Sequence, residues 1–203
     1  MMSKTHIAVG VAASLAIMQP TTVEGCLAAT MGGAIGGIIC DIDTRSNQQH
    51  KDAFYGRIIA VVIAIAVLVA DFFTGSGICA YVVECAGPST AIGVAIWVAF
   101  CLFGVVSDHR TFTHSLLALL VTSYALWLIC PMLVAPYAIG FASHLVLDLV
   151  NKKDVRLFFP LKAGSFCLGL FYADGTANTV TMALGSVAAV ALFAWRMAIA
   201  FGV

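Results

Sequence analysis

Charged residues are scarce in this chain. They make up 10% of the 203 residues, whereas apolar residues make up 62%. The mean hydropathy of +1.03 lies well outside the range of soluble globular domains. The composition therefore excludes a soluble domain and indicates several segments embedded in a lipid bilayer. The ten-residue alternation of a membrane β-barrel is also missing, so these segments are predicted to be helices.

The chain has no excess of charge of either sign, because ten Lys and Arg residues balance ten Asp and Glu residues. This balance does not favour a nucleic-acid partner, and none is expected. The seven cysteines include no C-x-x-C pair. They are therefore expected to fill space in apolar helices, and only Cys79 and Cys85 form a pair that could bridge.

Four apolar stretches approach the length of about 20 residues that a helix needs to cross a bilayer. They cover residues 57–73, 91–106, 115–135 and 179–201. Three shorter apolar pieces cover residues 6–18, 26–40 and 137–150, and the sequence leaves open whether the first two span or re-enter the membrane. The sequence predicts one all-α integral membrane domain over 1–203, a polytopic bundle of about four full spans plus shorter or re-entrant helices. It does not indicate an oligomeric state.

Small residues dominate the 26–40 piece, which reads "AATMGGAIGGII" at its centre. Its glycines come in pairs four residues apart, a spacing that lets helix backbones approach closely in a membrane. This helix is therefore predicted to pack inside the bundle.

Ionisable residues lie at the ends of these helices. Because successive helices alternate in direction, the start of the first helix and the end of the second meet on one side of the bundle. The loop after residues 91–106 and the end of the 137–150 helix return to that same side, and a re-entrant hairpin would do so as well. The residues that converge there are His6, Asp41, Asp43, Asp108, His109, Arg110, His114, His144 and Asp148.

Lys and Arg residues are also concentrated on the side of the bundle where the ionisable residues converge. The opposite loops, "QPTTVEG" and "TGSGICAYVVECAGPST", contain no Lys or Arg. By the positive-inside rule the side that carries the ionisable residues is cytoplasmic, in a bacterial inner membrane. The positive residues on that side are Lys4, Arg45, Lys51, Arg57, Arg110, Lys152, Lys153, Arg156 and Lys162.

His144 and Asp148 are four residues apart, so on a helix both project from one face and could ligate one ion or bond to each other. Ionisable groups in an apolar helix are costly, which favours a functional role. Asp41 and Asp43 are two residues apart and cannot share a helix face. One could bind a metal while the other orients water or pairs with an arginine, the alternative being a solvated helix end.

The stretch "DHRTFTHS" places two imidazoles, those of His109 and His114, around a helix start. Neutral imidazole is a common zinc ligand, and the planar guanidinium of Arg110 suits a phosphate oxygen. Thr113 or Ser115 could cap the following helix. The alternative is a juxtamembrane loop whose arginine contacts lipid headgroups.

Four ordered motifs, "THIAVG", "DID", "HRTFTHSLL" and "SHLVLDLVN" followed by "FFPL", resemble the YdjM family. That family is described as LexA-regulated, and hence linked to the SOS response, and as membrane-bound predicted metal-dependent hydrolases. The resemblance covers about residues 4–162, and the C-terminal helix, 179–201, adds nothing to it. The family is in turn similar to the zinc-dependent phospholipase C and single-strand nuclease superfamily.

The resemblance implies one or two divalent ions, with zinc favoured. It implies that the metal ligands are His6, Asp41, one member of the pair His109 and His114, His144 and Asp148. The hypothesis that follows is a phosphoesterase that acts at the cytoplasmic face on a phospholipid or a lipid-linked phosphate. Asp41 or Asp43 would be the general base, and Arg110 would hold the phosphate.

Two non-enzymatic alternatives stay open. The first is a membrane protein with a structural metal site, and the second is a divalent-metal transporter, which should place its ligands near the bilayer midplane. Within the enzymes the alternative is a nuclease, which the zero net charge disfavours.

Overall fold

The computed structural model of the chain describes residues 2–44, 47–161, 164–173 and 175–202, with only the backbone at 47–50. Two of the positive residues named above, Arg45 and Lys162, lie outside these ranges. Within them most of the chain is helical and no strand is present, which confirms the predicted all-α membrane bundle. The helices are α1 (Ser3–Met18), α2 (Val23–Ile39), α3 (Asn47–Thr74), α4 (Ile78–Glu84), α5 (Pro88–Val106), α6 (Leu116–Ile129), α7 (Val134–Val150) and α8 (Thr176–Ala200), with 3-10 turns at Cys40–Asp43 and Pro131–Leu133.

Five segments are long and apolar enough to cross a membrane: Val23–Asp43, Lys51–Thr74, Pro88–Val106, Pro131–Val150 and Thr176–Ala200. Three of them match predicted spans to within a few residues, and the other two are short pieces that the 3-10 turns lengthen. The fourth predicted span, 115–135, is divided, because α6 ends at Ile129. Pro131 disfavours helical backbone at the residue before it, and Cys130 has φ −154° and ψ 87°.

Helix α2 lies at the centre of the bundle, between α1 and α7, and most of its apolar stretch is buried. A Cβ atom on Gly37 would lie 2.6 Å from the carbonyl oxygen of His6, and one on Gly33 would lie 2.7 Å from that of Gly10. A Cβ atom on Gly140 of α7 would lie 2.5 Å from the carbonyl oxygen of Gly33. The predicted packing of this glycine-rich helix inside the bundle agrees with these contacts.

The Gly37→Ala variant is expected to lower the stability of the chain by about 1–3 kcal/mol, the usual cost of overpacking a tight core. Its added methyl group would collide with the backbone of α1, which cannot move like a flexible side chain. Thermal unfolding in detergent would measure the loss. Gly87→Ala is the control, since nothing lies within 4 Å of its Cβ position, and an equal melting temperature for both variants would contradict the expectation.

The C-terminal helix α8 holds the start of α1. The side-chain oxygen of Asn178 accepts hydrogen bonds from the backbone N–H of Met2, at 3.0 Å, and from the Thr5 hydroxyl, at 2.8 Å. Asn178 itself is buried. The sequence indicated no role for this helix in the site. In the structure, Asn178 of α8 holds the first turn of α1, which carries His6.

All seven cysteines are free thiols. Cys26, Cys40 and Cys130 are buried, as expected for core-filling residues, but Cys79 and Cys167 are exposed. Cys79 and Cys85, the pair that could have bridged, are not bonded to each other.

Candidate metal centre

Five buried side chains from four parts of the chain meet at one end of the bundle and form the His/Asp cluster. Helix α1 contributes one member, the 3-10 turn after α2 a second, the loop before α6 a third, and α7 two. The three imidazoles are fully buried and the two carboxyl groups nearly so. The members are His6, Asp41, His114, His144 and Asp148.

The potential ligand atoms of the cluster lie at separations that suit a shared ion. The Nε2 atoms of His114 and His144 are 3.3 Å apart, and Asp148 Oδ2 is 3.3 Å from the first and 3.7 Å from the second. Asp41 Oδ1 is 3.8 Å from both. Two atoms bound to one tetrahedral zinc ion at about 2.0–2.1 Å are roughly 3.3 Å apart, so the set fits such an ion.

Hydrogen bonds on the outer side of each ring determine which nitrogen faces the centre of the cluster. His144 Nδ1 donates to the carbonyl oxygen of Gly37 at 2.8 Å, because a carbonyl only accepts. The Thr113 hydroxyl donates to Asp43, so its oxygen accepts from His114 Nδ1 at 2.9 Å. In the neutral rings, therefore, both Nε2 atoms carry lone pairs, and either a proton on one of them or a metal ion between them removes the repulsion.

The electrostatics of the cluster favour that positive charge. Burial by itself lowers the pKa of His114, but hydrogen bonds with the carboxylates of Asp148 and Asp43 outweigh it and raise the pKa to about 9. The carboxylates thus stabilise a positive charge at this position, and a metal ion would supply one.

His6 is a buried imidazole whose two ring nitrogens have no hydrogen-bond partner among the described residues. Its ring stacks on that of His144, with centroids 3.7 Å apart, and its Nε2 atom is 3.5 Å from Asp148 Oδ1. A buried polar atom without a partner is costly, and ligation of an ion would remove that cost. The donor set and the two ring nitrogens of His6 that make no hydrogen bond within the described part of the chain both fit a bound metal.

His109 lies at the rim, outside the His/Asp cluster. Its Nδ1 atom is 2.6 Å from Asp43 Oδ1, and 28% of its side chain is exposed. The other oxygen of Asp43 accepts from the backbone N–H of Arg110, at 3.2 Å, and from the Thr113 hydroxyl, at 2.5 Å. Asp43, His109 and His114 are close enough to hold an ion of their own, but the hydrogen bonds already occupy Asp43.

Arg110 is directed into the protein. Its guanidinium donates to Asp148 Oδ1 at 3.0 Å and to the carbonyl oxygen of Lys153 at 2.7 Å, and the residue is buried. Its backbone has a positive φ of 64°, held by bonds to Asp43 and to the N–H of Arg156. The sequence predicts that Arg110 contacts a phosphate, but in the structure its guanidinium is already bonded to Asp148.

The structure adds two residues that sequence reasoning did not place in the site. The Ser3 hydroxyl donates to Asp41 Oδ2 at 2.5 Å, and Thr113 joins Asp43 to His114. Ser115, not Thr113, caps α6, by accepting from the N–H of Ala118 at 3.1 Å. In the sequence, only the position of Thr113 next to His114 weakly indicates that Thr113 belongs to the site. No sequence spacing connects Ser3 with Asp41.

A bundle of membrane-length apolar helices with a buried His/Asp cluster at one end defines a polytopic membrane protein with a candidate metal centre. The family model described as YdjM inner membrane protein matches residues 1–203, the whole chain. The chain therefore belongs to the YdjM family, as its motifs predict.

A curated relative adds a partial match. The uncharacterized protein YvsG of Bacillus subtilis (strain 168) is 37% identical over 83 residues, which are 35% of this chain and 52% of that protein. The chain thus spans about half the length of this relative. No solved structure is significantly similar to the chain.

Proposed function

We propose that this chain is a metal-dependent hydrolase of phosphate esters whose substrate is a phospholipid or a lipid-linked phosphate. The observation that carries the proposal is the pair of Nε2 atoms of His114 and His144, which lie 3.3 Å apart inside the buried His/Asp cluster. Buried imidazoles in this arrangement, next to two carboxylates, are the donor set of catalytic zinc sites.

The ligands are shared between two overlapping groups. His6, His144 and Asp148 form one, and Asp41, His114 and His144 form the other. His144 can ligate only one ion through its Nε2 atom, so the donors suit one ion, or two adjacent ions bridged by the Asp148 carboxylate. Zinc matches imidazole and carboxylate best. A divalent ion bound there would lower the pKa of a water molecule and neutralise charge on a phosphoryl oxygen.

We assign proton transfer to His109. Asp43 accepts the Nδ1–H of this ring at 2.6 Å, which leaves the Nε2 atom to take up or release a proton. Asp43 makes four contacts with protein groups and is almost fully buried. Asp43 is therefore a positioning residue in this proposal, and Asp41 stays a ligand.

Arg110 is likewise a positioning residue. It fixes Asp148 through the 3.0 Å bond of its guanidinium, and its own backbone is fixed by Asp43. Outer-shell partners of this kind typically change metal affinity or activity 10- to 100-fold when they are removed, so the Arg110→Gln variant is expected to fall in about that range.

The His109→Gln variant is expected to keep its metal and to lose activity by about 100- to 10,000-fold, the usual contribution of a general acid or base. The pH profile of the residual activity should lose one limb. Elemental analysis and initial rates would measure the two effects. Asp108→Asn, which changes the exposed neighbour, is the control, and loss of metal from the His109 variant would contradict the role.

The lipid substrate and the cytoplasmic location rest on where the His/Asp cluster lies. Its members stand near helix ends, on the side to which the sequence assigns the Lys and Arg residues. A panel of phospholipids and lipid phosphates, assayed with purified protein with and without a chelator, tests the substrate class. Hydrolysis of a lipid phosphate that stops on chelation supports the proposal, and a protein with bound metal that is inert on the panel contradicts it.

A structural metal site is the second candidate, and the full burial of His6, His114 and His144 favours it. In that case chelation would lower the melting temperature, but no lipid would be hydrolysed. A transporter would instead carry the metal into sealed vesicles. These readouts separate the two non-enzymatic alternatives from the hydrolase.

A further inference from the structure

Residues 151–175, which connect α7 to α8, form the 151–175 segment. Its described part is not helical apart from isolated turns, and it exposes large apolar side chains. These side chains are between 41% and 71% exposed, and they belong to Phe158, Leu161, Phe166, Leu168, Leu170 and Tyr172. Such a density of apolar groups in a connecting segment is typical of an interaction surface.

Positive charge accompanies these apolar groups. The 151–175 segment contains four basic and two acidic residues, and Lys152, Lys153 and Arg156 are exposed. One acid, Asp154, accepts a hydrogen bond from the Ser165 hydroxyl at 2.6 Å. The Lys152 ammonium lies 4.0 Å from the centre of the Tyr172 ring, so cationic and apolar groups share one surface.

Backbone bonds hold this segment at the level where the membrane-length helices end. The N–H groups of Leu168 and Leu170 donate to the last carbonyls of α7, at Leu149 and Val150. The N–H of Leu116, the first residue of α6, donates to the carbonyl of Leu157 at 2.9 Å. The surface therefore lies level with these helix ends, where the boundary of a bilayer would fall.

We propose that the 151–175 segment is a lipid-binding surface, with its apolar side chains in the interfacial layer of the membrane and its basic residues on anionic phospholipid headgroups. Apolar groups combined with Lys and Arg are the composition by which protein segments bind anionic membrane surfaces. A second copy of the chain fits less well, because a twofold contact would bring the same positive charges together.

The proposal connects the membrane surface with the His/Asp cluster but does not depend on hydrolysis. Arg110, which holds Asp148, also donates to the carbonyl of Lys153, and its own carbonyl accepts from the N–H of Arg156. A lipid headgroup on these basic residues would thus lie next to the backbone that positions Arg110.

A nitroxide on Cys167, which is exposed within the segment, would test the proposal. The full chain with Cys79→Ser and Cys85→Ser would be labelled and reconstituted in vesicles of phosphatidylcholine, with or without phosphatidylglycerol. We expect the anionic lipid to lower collisions of the label with a water-soluble nickel complex several-fold and to raise collisions with oxygen. The Cys167→Ser protein gives the background label.

Charge and apolar variants separate the two parts of the surface. Changing Lys152, Lys153 and Arg156 together to Gln should restore the nickel accessibility seen without anionic lipid, and Leu168→Ser with Leu170→Ser should raise it in both vesicles. Lys4→Gln with Lys51→Gln, which changes two exposed lysines outside the segment, should leave the label unaffected.

Two results would overturn the lipid-binding surface. One is a label that is equally accessible to nickel with and without phosphatidylglycerol. The other is spin–spin broadening that disappears when labelled chains are diluted with unlabelled ones, since it would show that a second copy covers the surface. Neither result depends on metal content or hydrolysis, so the proposed function is tested separately.

Discussion

Replacing His144 with alanine is expected to reduce the bound metal to the background level and to abolish hydrolysis of a lipid phosphate. This ring belongs to both ligand groups of the His/Asp cluster and stacks on His6, so its loss removes a ligand from each of them. Changes in the outer shell of metal sites already cost 10- to 100-fold in affinity or activity, and a ligand shared by both groups should cost more than about 100-fold. Elemental analysis and initial rates would measure both losses.

Two variants keep this test interpretable. His144→Gln retains a side-chain amide that can donate to the Gly37 carbonyl, and should lose metal while leaving the helix contact intact. Ser143→Ala, which changes the adjacent residue of α7, whose hydroxyl donates to the carbonyl of Gly140, should retain metal and activity. Full metal content in a folded His144→Ala protein would exclude the assigned centre.

Replacing Asp148 with asparagine is expected to have the second large effect, a loss of both metal affinity and stability. The substitution keeps the shape of the side chain but removes the charge that faces His6, His114 and His144 and pairs with Arg110. The metal affinity should fall by more than about 100-fold. Breaking the buried pair with Arg110 should also cost roughly 3–5 kcal/mol of stability. Metal titration and thermal unfolding of the metal-free and metal-loaded protein would separate the two effects.

Asp108→Asn is the matched control for this variant, because it removes an exposed aspartate from the loop that leads to the cluster. It should bind metal and unfold like the unchanged chain. An Asp148→Asn protein that melts normally and binds metal with unchanged affinity would show that this carboxylate is not a ligand. A variant that loses stability but keeps its metal affinity would limit Asp148 to the ion pair with Arg110.

Most of the helical architecture was predictable from the sequence, because a bilayer leaves few ways to satisfy backbone hydrogen bonds. Long apolar runs such as 91–106 became membrane-length helices with little change of boundary. The prediction failed at 115–135, where hydropathy continues through Pro131 but the backbone does not. Hydropathy measures transfer into lipid, and it does not register the restriction that a proline places on the residue before it.

The approach of the candidate site residues was also predictable, since alternating helix directions return chain segments to one side. The separate role of each of these residues was not predictable. His109 and His114 are equivalent in the sequence, and only the packing of Thr113 and Asp43 places the first at the rim and the second in the centre. The contact of Arg110 with Asp148 likewise depends on the left-handed backbone conformation of Arg110, which no sequence motif reveals.

The sequence by itself determined that this chain is an all-helical membrane protein whose candidate site residues, a subset of its histidines and aspartates, meet on one side. Both results follow from apolar length and alternating direction, which are properties of the chain order. Only the tertiary structure decided which nitrogen faces which oxygen, because a ligand set depends on distances of about 3 Å between residues far apart in sequence. The close approach of α1, α2 and α7 through their glycines brings those atoms within reach.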